Sequence, residues 1–345
     1  MAIINKYTDI VILGIESSCD ETSAAVIVND HIRSNRIANQ TIHQTFGGVV
    51  PELASRAHQA NVIPVIDTAL KDAKIDKGRL TAIAYTQGPG LMGALMVGSA
   101  VAKSMAMSLG IPLIPVNHMQ AHILAHFIKK SPGQPVPAFP FLCLTVSGGH
   151  TQLVVVSDYL SMEIIGHTID DAAGEAFDKC AKIIGLPYPG GPLIDKFGSN
   201  GNTHAFVFAE PKATGYDFSF SGLKTSFLYF IQKKMKENPR FIEENKADLC
   251  ASIQHTIVKI LLDQLEKAAK KLKVNDVCIA GGVSANSYLR NELKIRAQKN
   301  KWNCFIPAFE FCTDNAAMVA ITGYYKFLKN QTGSLTDVPM ARMEF

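Results

Sequence analysis

The sequence lacks any Cys-x-x-Cys pair, and its seven cysteines are an odd number. Both features argue against a disulfide framework and against a zinc finger, so a reducing compartment fits best. The N-terminus lacks a signal-peptide profile, because the apolar stretch at residues 10–15 is short and runs directly into "ESSCDE". Net charge is small, at +4 from 34 basic and 30 acidic side chains, so composition neither requires nor excludes a polyanionic partner. These absences predict a cytoplasmic protein.

One uncharged stretch is long enough to be tested as a membrane span. Residues 80–102 carry no charged side chain, and about 20 apolar residues suffice to cross a bilayer. However, "QGPG" at 87–90 divides the stretch into a strand-like piece, "LTAIAYT", and a helix start rich in small residues. The pattern therefore predicts a strand, a turn and a helix of a soluble domain, and no membrane partner.

The order of strand and helix signals predicts an α/β protein of two domains. A chain of 345 residues is long for one core. "DIVILGIES" and "TSAAVIVN" indicate an opening hairpin, strands and helices then alternate, and the pattern restarts at "FLCLTVSGGHTQLVVVS" after a proline-rich segment. We expect domains at 1–137 and 138–313, with a final helix over about 314–330 packing back on the first. This arrangement matches the actin-like (ASKHA, RNase H-like) architecture of sugar kinases, with a central nucleotide cleft.

Two glycine-containing turns are candidates for nucleotide binding. In "VSGGHTQL", at 146–153, a Ser-Gly-Gly turn between two apolar strands could aim backbone N–H groups at phosphate oxygens, or it could be an ordinary tight hairpin. In "AGGVSAN", at 280–286, two glycines precede a helix, which suits a nucleotide but also suits a structural loop. "FSGLKTS", at 220–226, lacks the glycines of a phosphate-binding P-loop.

Acidic residues are concentrated between residues 170 and 195. Asp171, Glu175, Asp178 and Lys179 have helical spacing, which is typical of a solvated helix face. The "YPGGPLID" that follows brings a second glycine pair and Asp195. Carboxylates in this region could therefore also accept hydrogen bonds from ribose or from substrate hydroxyls.

The stretch "NHMQAHILAH" contains His118, His122 and His126 at intervals of four. On a helix this spacing places His118 and His122 on one face, with Cβ atoms about 5–6 Å apart, which is metal-ligand spacing. His126, a further turn away among apolar residues, is interpreted as a packed or surface residue. Asp314, near the start of the last helix, is the candidate third ligand, and Cys312 could compete with it. Two imidazoles and a carboxylate suit Fe(II), a similar first-row metal, or zinc.

Taken together, these motifs resemble one family closely, the TsaD proteins, which are tRNA adenosine threonylcarbamoyltransferases. The stretches that carry the resemblance run in order from residue 14 to 318 and are "GIESSCDETSAAV", "FGGVVPELASRAH", "GPGLMGALMVG", "NHMQAH", "VSGGHTQL", "DDAAGEAFDK", "YPGGPLID", "FSFSGLKT", "GGVSAN" and "FCTDNAAM". Departures are small: Met119-Gln120-Ala121 stands where Glu-Gly is common in relatives, and the tail "VPMARMEF" is shorter than in many bacterial members.

The resemblance implies transfer of the threonylcarbamoyl group of threonylcarbamoyl-AMP to N6 of adenosine 37 in tRNAs that read ANN codons. It implies one Fe(II) or zinc ion on His118, His122 and Asp314. The residues it implies for the adenylate are Thr145, Val146, Ser147, Gly148, Gly149, Asp178, Gly191, Asp195 and Asn286. Its expected partners are the tRNA anticodon loop, a TsaB-like paralogue and a TsaE-like ATPase.

The sequence does not decide which residue is catalytic. His150 follows the glycine pair and could assist proton transfer, but a structural imidazole is an equal alternative. We hypothesise that the metal acts as a Lewis acid and template while the amides of the "SGGH" turn hold the phosphate.

Three rival functions remain. A small-molecule kinase of the same architecture would share the phosphate turns but would need no metal-binding histidines. A metallopeptidase would explain the histidines, yet the sequence lacks His-Glu-x-x-His, and residue 119 is Met. An actin-like scaffold resembling the inactive paralogue would lack the metal residues, which are present here.

Overall fold

The structure, a computed structural model, describes residues 9–40 and 42–344. In chain order the strands are β1 Val11–Glu16, β2 Glu21–Val28, β3 His31–Asn39, β4 Ala82–Gly88, β5 Leu113–Asn117, β6 Phe141–Val146, β7 Thr151–Asp158, β8 Ser161–His167, β9 Asp276–Ala280 and β10 Asn303–Phe305. The α-helices are α1 His43–Phe46, α2 Pro51–Ala73, α3 Met92–Leu109, α4 His118–Leu124, α5 Ala173–Ile183, α6 Gly190–Gly198, α7 Ser221–Glu237, α8 Phe241–Leu272, α9 Ser287–Asn300 and α10 Ala316–Leu328.

These elements form two compact units. One unit combines the described residues up to Val136 with those from Ala308 onward, and the other is Pro137–Pro307. The first unit has a sheet of order β3-β2-β1-β4-β5, and the second has the order β8-β7-β6-β9-β10. In each unit an antiparallel hairpin is followed by a parallel strand, which is β4 beside β1 and β9 beside β6. The α/β class and the opening hairpin predicted from the sequence are therefore confirmed.

The uncharged stretch at residues 80–102 forms β4 and the first part of α3, as the sequence predicts. Within the described residues α3 is one helix that is long and apolar enough to cross a membrane by length and composition alone. It packs against α2 and β4, with Ala94, Leu95 and Ala102 fully buried. A helix that covers a sheet in this way passes the same compositional test as a membrane span.

Helix α10 packs on the sheet of the first unit through two close approaches. A Cβ atom on Gly14 of β1 would lie 2.3 Å from the carbonyl oxygen of Ala316, and one on Gly323 would lie 2.4 Å from Cβ of Ala84. The helix begins at Ala316 rather than at Asp314, because Asn315 has extended backbone angles and its side chain accepts a hydrogen bond from Met318 N. Asp314 consequently lies in the loop that precedes the helix.

The first sheet presents one functional edge. Strands β1, β4 and β5 are parallel, so their carboxyl ends at Glu16, Gly88 and Asn117 lie at the same edge. Ligand-binding residues of α/β sheets are concentrated at this kind of edge.

Candidate functional site

The side chain of Asn117 fixes the start of α4 at the carboxyl end of β5. Its Oδ1 accepts hydrogen bonds from Met119 N at 2.9 Å and from Gln120 N at 3.1 Å, which satisfies two N–H groups of the first turn. Helical spacing then brings His118 and His122 onto one face, with ring centroids 4.7 Å apart. The helix predicted to carry both histidines is thus positioned by the residue that ends the strand.

His118, His122 and Asp314 form a tight triangle in the first unit. Nε2 of His122 lies 3.2 Å from Nε2 of His118 and 3.1 Å from Oδ1 of Asp314, and the remaining side measures 3.3 Å. Both rings are buried and Asp314 is partly buried. Among the described residues this is the group of His, Cys, Asp and Glu side chains that could hold a metal ion.

The fully buried carboxylate of Glu16 orients His118 by contacting its Nδ1 atom. Oε2 of Glu16 lies 3.2 Å from Nδ1 of His118 and accepts a 2.6 Å hydrogen bond from Oγ1 of Thr86, while Oε1 accepts from Ser18 N. Ser18 Oγ also lies 3.2 Å from the same imidazole nitrogen. A carboxylate on Nδ1 favours the tautomer that carries its proton there, which leaves the lone pair of Nε2 directed at the triangle.

The electrostatics of this cluster are dominated by burial and by its own charges. Burial lowers the pKa of His118, but the carboxylates of Asp314 and Glu16 raise it to well above its ordinary value. Burial raises the pKa of Asp314 and of Glu16, yet attraction to His118 brings the pKa of both below the usual range. The two carboxylates therefore stabilise the positive charge that the imidazole of His118 carries when it is protonated.

The donor set fits a first-row metal. Ligand atoms that are each about 2.1 Å from one ion lie about 3–3.5 Å apart, which is the spacing of the three atoms in this triangle. Nδ1 of His122 is buried and has no hydrogen-bond partner among the described residues, so the contacts of this ring are those that its Nε2 makes within the triangle. Imidazole and carboxylate together suit Fe(II) or zinc.

His126 and Cys312 do not belong to the triangle. His126 lies in a buried 3₁₀ turn, Ala125–Phe127, that follows α4. The thiol of Cys312 donates to the carbonyl oxygen of Ala308 at 3.4 Å. Of the two candidates for a third ligand, the structure brings Asp314 rather than Cys312 to the histidines.

In the second unit, the Ser-Gly-Gly turn is a tight hairpin between β6 and β7. Ser147 N donates to the carbonyl oxygen of His150 at 2.8 Å, and His150 N donates to Oγ of Ser147 at 3.0 Å. A Cβ atom on Gly148 or Gly149 would meet no described atom within 4 Å. The turn is therefore an ordinary hairpin in its hydrogen bonding, and its glycine face is open to a ligand.

Two further glycines allow close packing around this turn. A Cβ on Gly174, at the start of α5, would lie 2.6 Å from the carbonyl oxygen of Ser147. Gly281 has a φ of +86°, and a Cβ there would lie 2.4 Å from the carbonyl oxygen of Val146, the last residue of β6. The preceding residue, Thr145, is buried, and its hydroxyl has no partner among the described residues.

The carboxylate of Asp178 holds the second glycine pair. Its Oδ1 accepts hydrogen bonds from Gly190 N at 2.7 Å and Gly191 N at 3.1 Å, at the first turn of α6. Burial raises the pKa of Asp178, although these two N–H groups lower it in part. Lys179, by contrast, pairs at 2.6 Å with Asp171, as expected of a solvated face.

Asp195 and Asn286 lie next to each other at the start of α9. Oδ2 of Asp195 accepts from Ser287 N at 2.9 Å, and Oδ1 accepts from Ser287 Oγ at 2.7 Å. Asn286 Oδ1 accepts from Leu289 N at 2.8 Å, while its amide donates to Gln254 Oε1 at 2.7 Å. The structure gives both predicted substrate-binding residues a structural role, and their contact with the adenylate stays a prediction.

Sequence reasoning missed two residues that build these sites, namely Glu16 and Gly174. Each lies in or beside a motif already singled out, but the sequence pattern does not predict the contact that it makes. The available signal for Glu16 was its place at the end of an apolar strand. For Gly174, the signal was its place at a helix start.

Comparison with known proteins identifies the family. The profile of TsaD, described as tRNA N6-adenosine threonylcarbamoyltransferase, matches residues 31–321. Proteins of that name are 58% identical over 334 residues in Christiangramia forsetii, covering 97% of this chain and 98% of the relative, and 60% identical over 323 residues in Phocaeicola vulgatus, covering 93% and 95%.

Solved structures show the same fold at low identity. Full-length HypF in its phosphate- and nucleotide-bound form aligns with a TM-score of 0.61 and 15% identity, over 94% of this chain and 47% of HypF. Component A of (R)-2-hydroxyglutaryl-CoA dehydratase from Acidaminococcus fermentans gives 0.53 and 14%, over 92% and 98%. The fold is thus shared with these proteins, whereas the function follows from the close relatives: the chain belongs to the TsaD family of tRNA N6-adenosine threonylcarbamoyltransferases, enzymes of tRNA modification.

Proposed function

We propose that the chain transfers the threonylcarbamoyl group of threonylcarbamoyl-AMP to N6 of adenosine 37 in tRNAs that read ANN codons. In this reaction N6 forms a bond to the carbamoyl carbon, the bond from that carbon to the phosphate oxygen breaks, and AMP leaves with the bonding electrons. N6 loses one proton. Because AMP is a good leaving group and N6 is a weak nucleophile, orientation and charge stabilisation carry the catalysis, and no covalent enzyme intermediate is needed.

The observation that carries this proposal is the triangle of His118, His122 and Asp314, with Glu16 behind it. These three side chains would hold one Fe(II) or zinc ion, and a metal bound there would supply a Lewis acid and template for oxygen atoms of the donor. Glu16 keeps the proton of His118 on Nδ1, and Asp314 offsets positive charge in a buried site. A kinase of this fold would need none of these arrangements.

The second unit would hold the adenylate. The open backbone at Gly148 and Gly149 suits phosphate oxygens, because nothing among the described residues occupies the space where their side chains would lie. The buried hydroxyl of Thr145 has no hydrogen-bond partner among the described residues and would be available to the ligand. Val146, Ser147, Gly191 and the carboxylates of Asp178 and Asp195 complete the proposed adenylate residues, together with Asn286.

His150 is the candidate residue for removing the proton from N6. His150 is partly buried and its backbone closes the Ser-Gly-Gly turn. An imidazole at this turn could accept the proton, since its ordinary pKa is near neutrality.

The tRNA and protein partners follow from the same assignment. Adenosine 37 belongs to the single-stranded anticodon loop, where an unstacked base can be recognised without melting a helix. We further propose that a TsaB-like paralogue and a TsaE-like ATPase act with the chain, and that all of them work in the cytoplasm.

The decisive experiment measures the modified nucleoside. The chain is incubated with threonine, bicarbonate, ATP, the adenylate-forming enzyme, the two partner proteins and unmodified tRNA, and the nucleosides are analysed by mass spectrometry with and without the chain. We expect threonylcarbamoyladenosine only when the chain is present. If no modified adenosine depends on the chain, the proposed function is wrong.

Variants then separate the metal residues from their neighbour. His122→Ala and Asp314→Ala should each lose bound metal and about 100-fold or more in modification rate, because removing a ligand costs more than removing a group behind a ligand, which costs about 10- to 100-fold. His126→Ala is the matched control, since it removes an imidazole one turn further along and should retain metal. Full metal content and activity in His122→Ala would contradict the metal role.

A further inference from the structure

The last residues of the chain lie along the functional edge of the first sheet. Gly333 N donates to the carbonyl oxygen of Leu113 at 2.7 Å, and Nζ of Lys103 donates to the carbonyl oxygen of Asp337. From this anchored turn the chain continues through residues 338–344, which we call the C-terminal strap. The strap carries no helix or strand of its own, so its position depends on the contacts it makes with the sheet edge.

The strap is hydrogen-bonded to the end of β4 and to the turn that follows it. Gln87 Nε2 donates to the carbonyl oxygen of Val338 at 3.0 Å, and Met340 N donates to the carbonyl oxygen of Gln87 at 2.8 Å. One step further, Gly90 N donates to the carbonyl oxygen of Ala341 at 3.3 Å. The backbone of residues 87–90 and the backbone of the strap therefore hold each other in register.

Gly88 makes this contact possible. A Cβ atom at this position would lie 2.0 Å from the carbonyl oxygen of Met340 and 3.0 Å from its carbonyl carbon. Both are backbone atoms of the strap, so a methyl group here could be accommodated only by moving the strap and the end of β4 apart.

The residues directly before and after positions 87–90 reach the metal triangle by two routes. Oγ1 of Thr86 donates to the Glu16 carboxylate, and the carbonyl oxygen of Ser18 accepts from Leu91 N at 2.8 Å. Glu16 and Ser18 both contact Nδ1 of His118. Displacing the turn would therefore change the orientation of the first ligand.

The end of the strap approaches the helix that carries both histidines. The side-chain amide of Asn117 lies 3.5 Å from the carbonyl oxygens of Met343 and Glu344, at the limit of hydrogen-bond distance. Through its other atom, Oδ1, Asn117 caps α4 directly before His118.

We propose that the C-terminal strap is a positioning element of the metal centre, which sets the affinity of His118, His122 and Asp314 for their ion. The inference rests on the proposed metal role of these three residues. A strap that merely covered the sheet end would affect folding stability without affecting metal affinity.

The test compares three variants with the wild type. They are Gly88→Ala, a chain that lacks residues 338–345, and the combination of both changes. The affinity for Zn²⁺ is measured by competition with a chelator and expressed per folded protein, and thermal melting reports stability separately.

We expect Gly88→Ala and the truncation each to weaken Zn²⁺ binding by about 10-fold or more, the size seen when groups behind a metal ligand are altered. In the truncated chain, Gly88→Ala should cause no further loss, because the atoms it displaces are gone. Modification activity of Gly88→Ala should recover at saturating metal. Gly48→Ala is the matched control, since a Cβ there would meet no described atom within 4 Å.

The results separate this inference from the proposed function. If the wild type binds no metal, the metal role itself is wrong. If the wild type binds Zn²⁺ and Gly88→Ala binds it equally well, the strap does not position the site, whatever happens to the melting temperature. Additive losses in the combined variant would also overturn the proposal. Should the truncated chain fail to fold, the full-length Gly88→Ala protein and its rescue by metal still decide it.

Discussion

Replacing Glu16 by Gln should weaken metal binding while preserving the shape of the site. Glu16 has no exposed surface and accepts hydrogen bonds at both oxygens. A glutamine of the same size has one acceptor and one donor at its end. Whichever way the amide is turned, one of the buried N–H groups that now points at an oxygen will point at an NH₂ group instead.

Each orientation of that amide has a defined cost. With NH₂ toward His118, the Nδ1 proton loses its carboxylate acceptor, and the balance shifts toward the tautomer that places a proton on the metal-binding Nε2. With NH₂ toward Ser18, a buried backbone N–H loses its acceptor, at a cost of about 1–3 kcal/mol in folding free energy. The orientation that spares the metal site therefore destabilises the fold.

We expect the affinity for Zn²⁺ to fall by about 10- to 100-fold, which corresponds to about 1.4–2.7 kcal/mol. Chelator competition at constant pH measures the affinity, and the yield of modified adenosine at limiting metal should fall in parallel. Glu52→Gln is the control, because Glu52 is an exposed partner of Arg56 and lies in no contact with the triangle. Wild-type affinity and melting temperature in Glu16→Gln would refute the reasoning that this carboxylate fixes the tautomer of His118.

Three other predictions follow from the same geometry. Burial lowers the pKa of His118, but Asp314 and Glu16 raise it more, so its net pKa lies well above the ordinary value and a metal ion must displace a proton to bind. The affinity for Zn²⁺, measured by competition across pH, should therefore rise about tenfold per pH unit until that pKa is passed. An affinity that does not depend on pH would contradict this. Gly149→Ala should leave the melting temperature unchanged and weaken adenylate binding in calorimetry. Gly174→Ala should lower both the melting temperature and the affinity for the adenylate. If the two variants changed melting temperature and affinity equally, the glycine face of the turn would not be open to a ligand. Burial raises the pKa of Asp170, but hydrogen bonds from the start of α7 lower it overall. The contribution of Asp170 to folding stability is therefore present above the ordinary aspartate pKa and is lost as pH falls through the lowered value. Asp170→Ala should lower the free energy of unfolding in urea by about 1–2 kcal/mol at pH 7, and this loss should diminish in acid.

Local pattern was sufficient for several elements. Residues 80–102 form a strand, a turn and a helix as expected, and "QGPG" lies at the boundary between β4 and α3. The start of α10 was misplaced by two residues, because the extended backbone of Asn315 and its capping bond are not visible as a change in composition. Boundaries of this kind depend on individual side-chain hydrogen bonds, whereas apolar periodicity extends over many residues and is robust.

In the candidate site, too, the features set by local spacing could be predicted and those set by distant contacts could not. The spacing of His118 and His122 follows from helix geometry, so the sequence could pair them without a fold. Their meeting with Asp314 joins positions almost two hundred residues apart and depends on how α10 packs on β1 and β4. The role of Glu16 was harder still to predict, because an acidic residue at a strand end has many possible partners.

By itself, the sequence determined the α/β class, the hairpin that opens each domain, the two histidines and, through the full set of motifs, the family. These features are encoded in short-range periodicity and in ordered motifs, which survive without knowledge of distant contacts. Only the tertiary structure decided that Asp314 rather than Cys312 completes the triangle, that a buried carboxylate holds His118, and that Gly88 makes room for the C-terminal strap. Those facts depend on distances between residues far apart in the chain, and packing of the whole unit sets such distances.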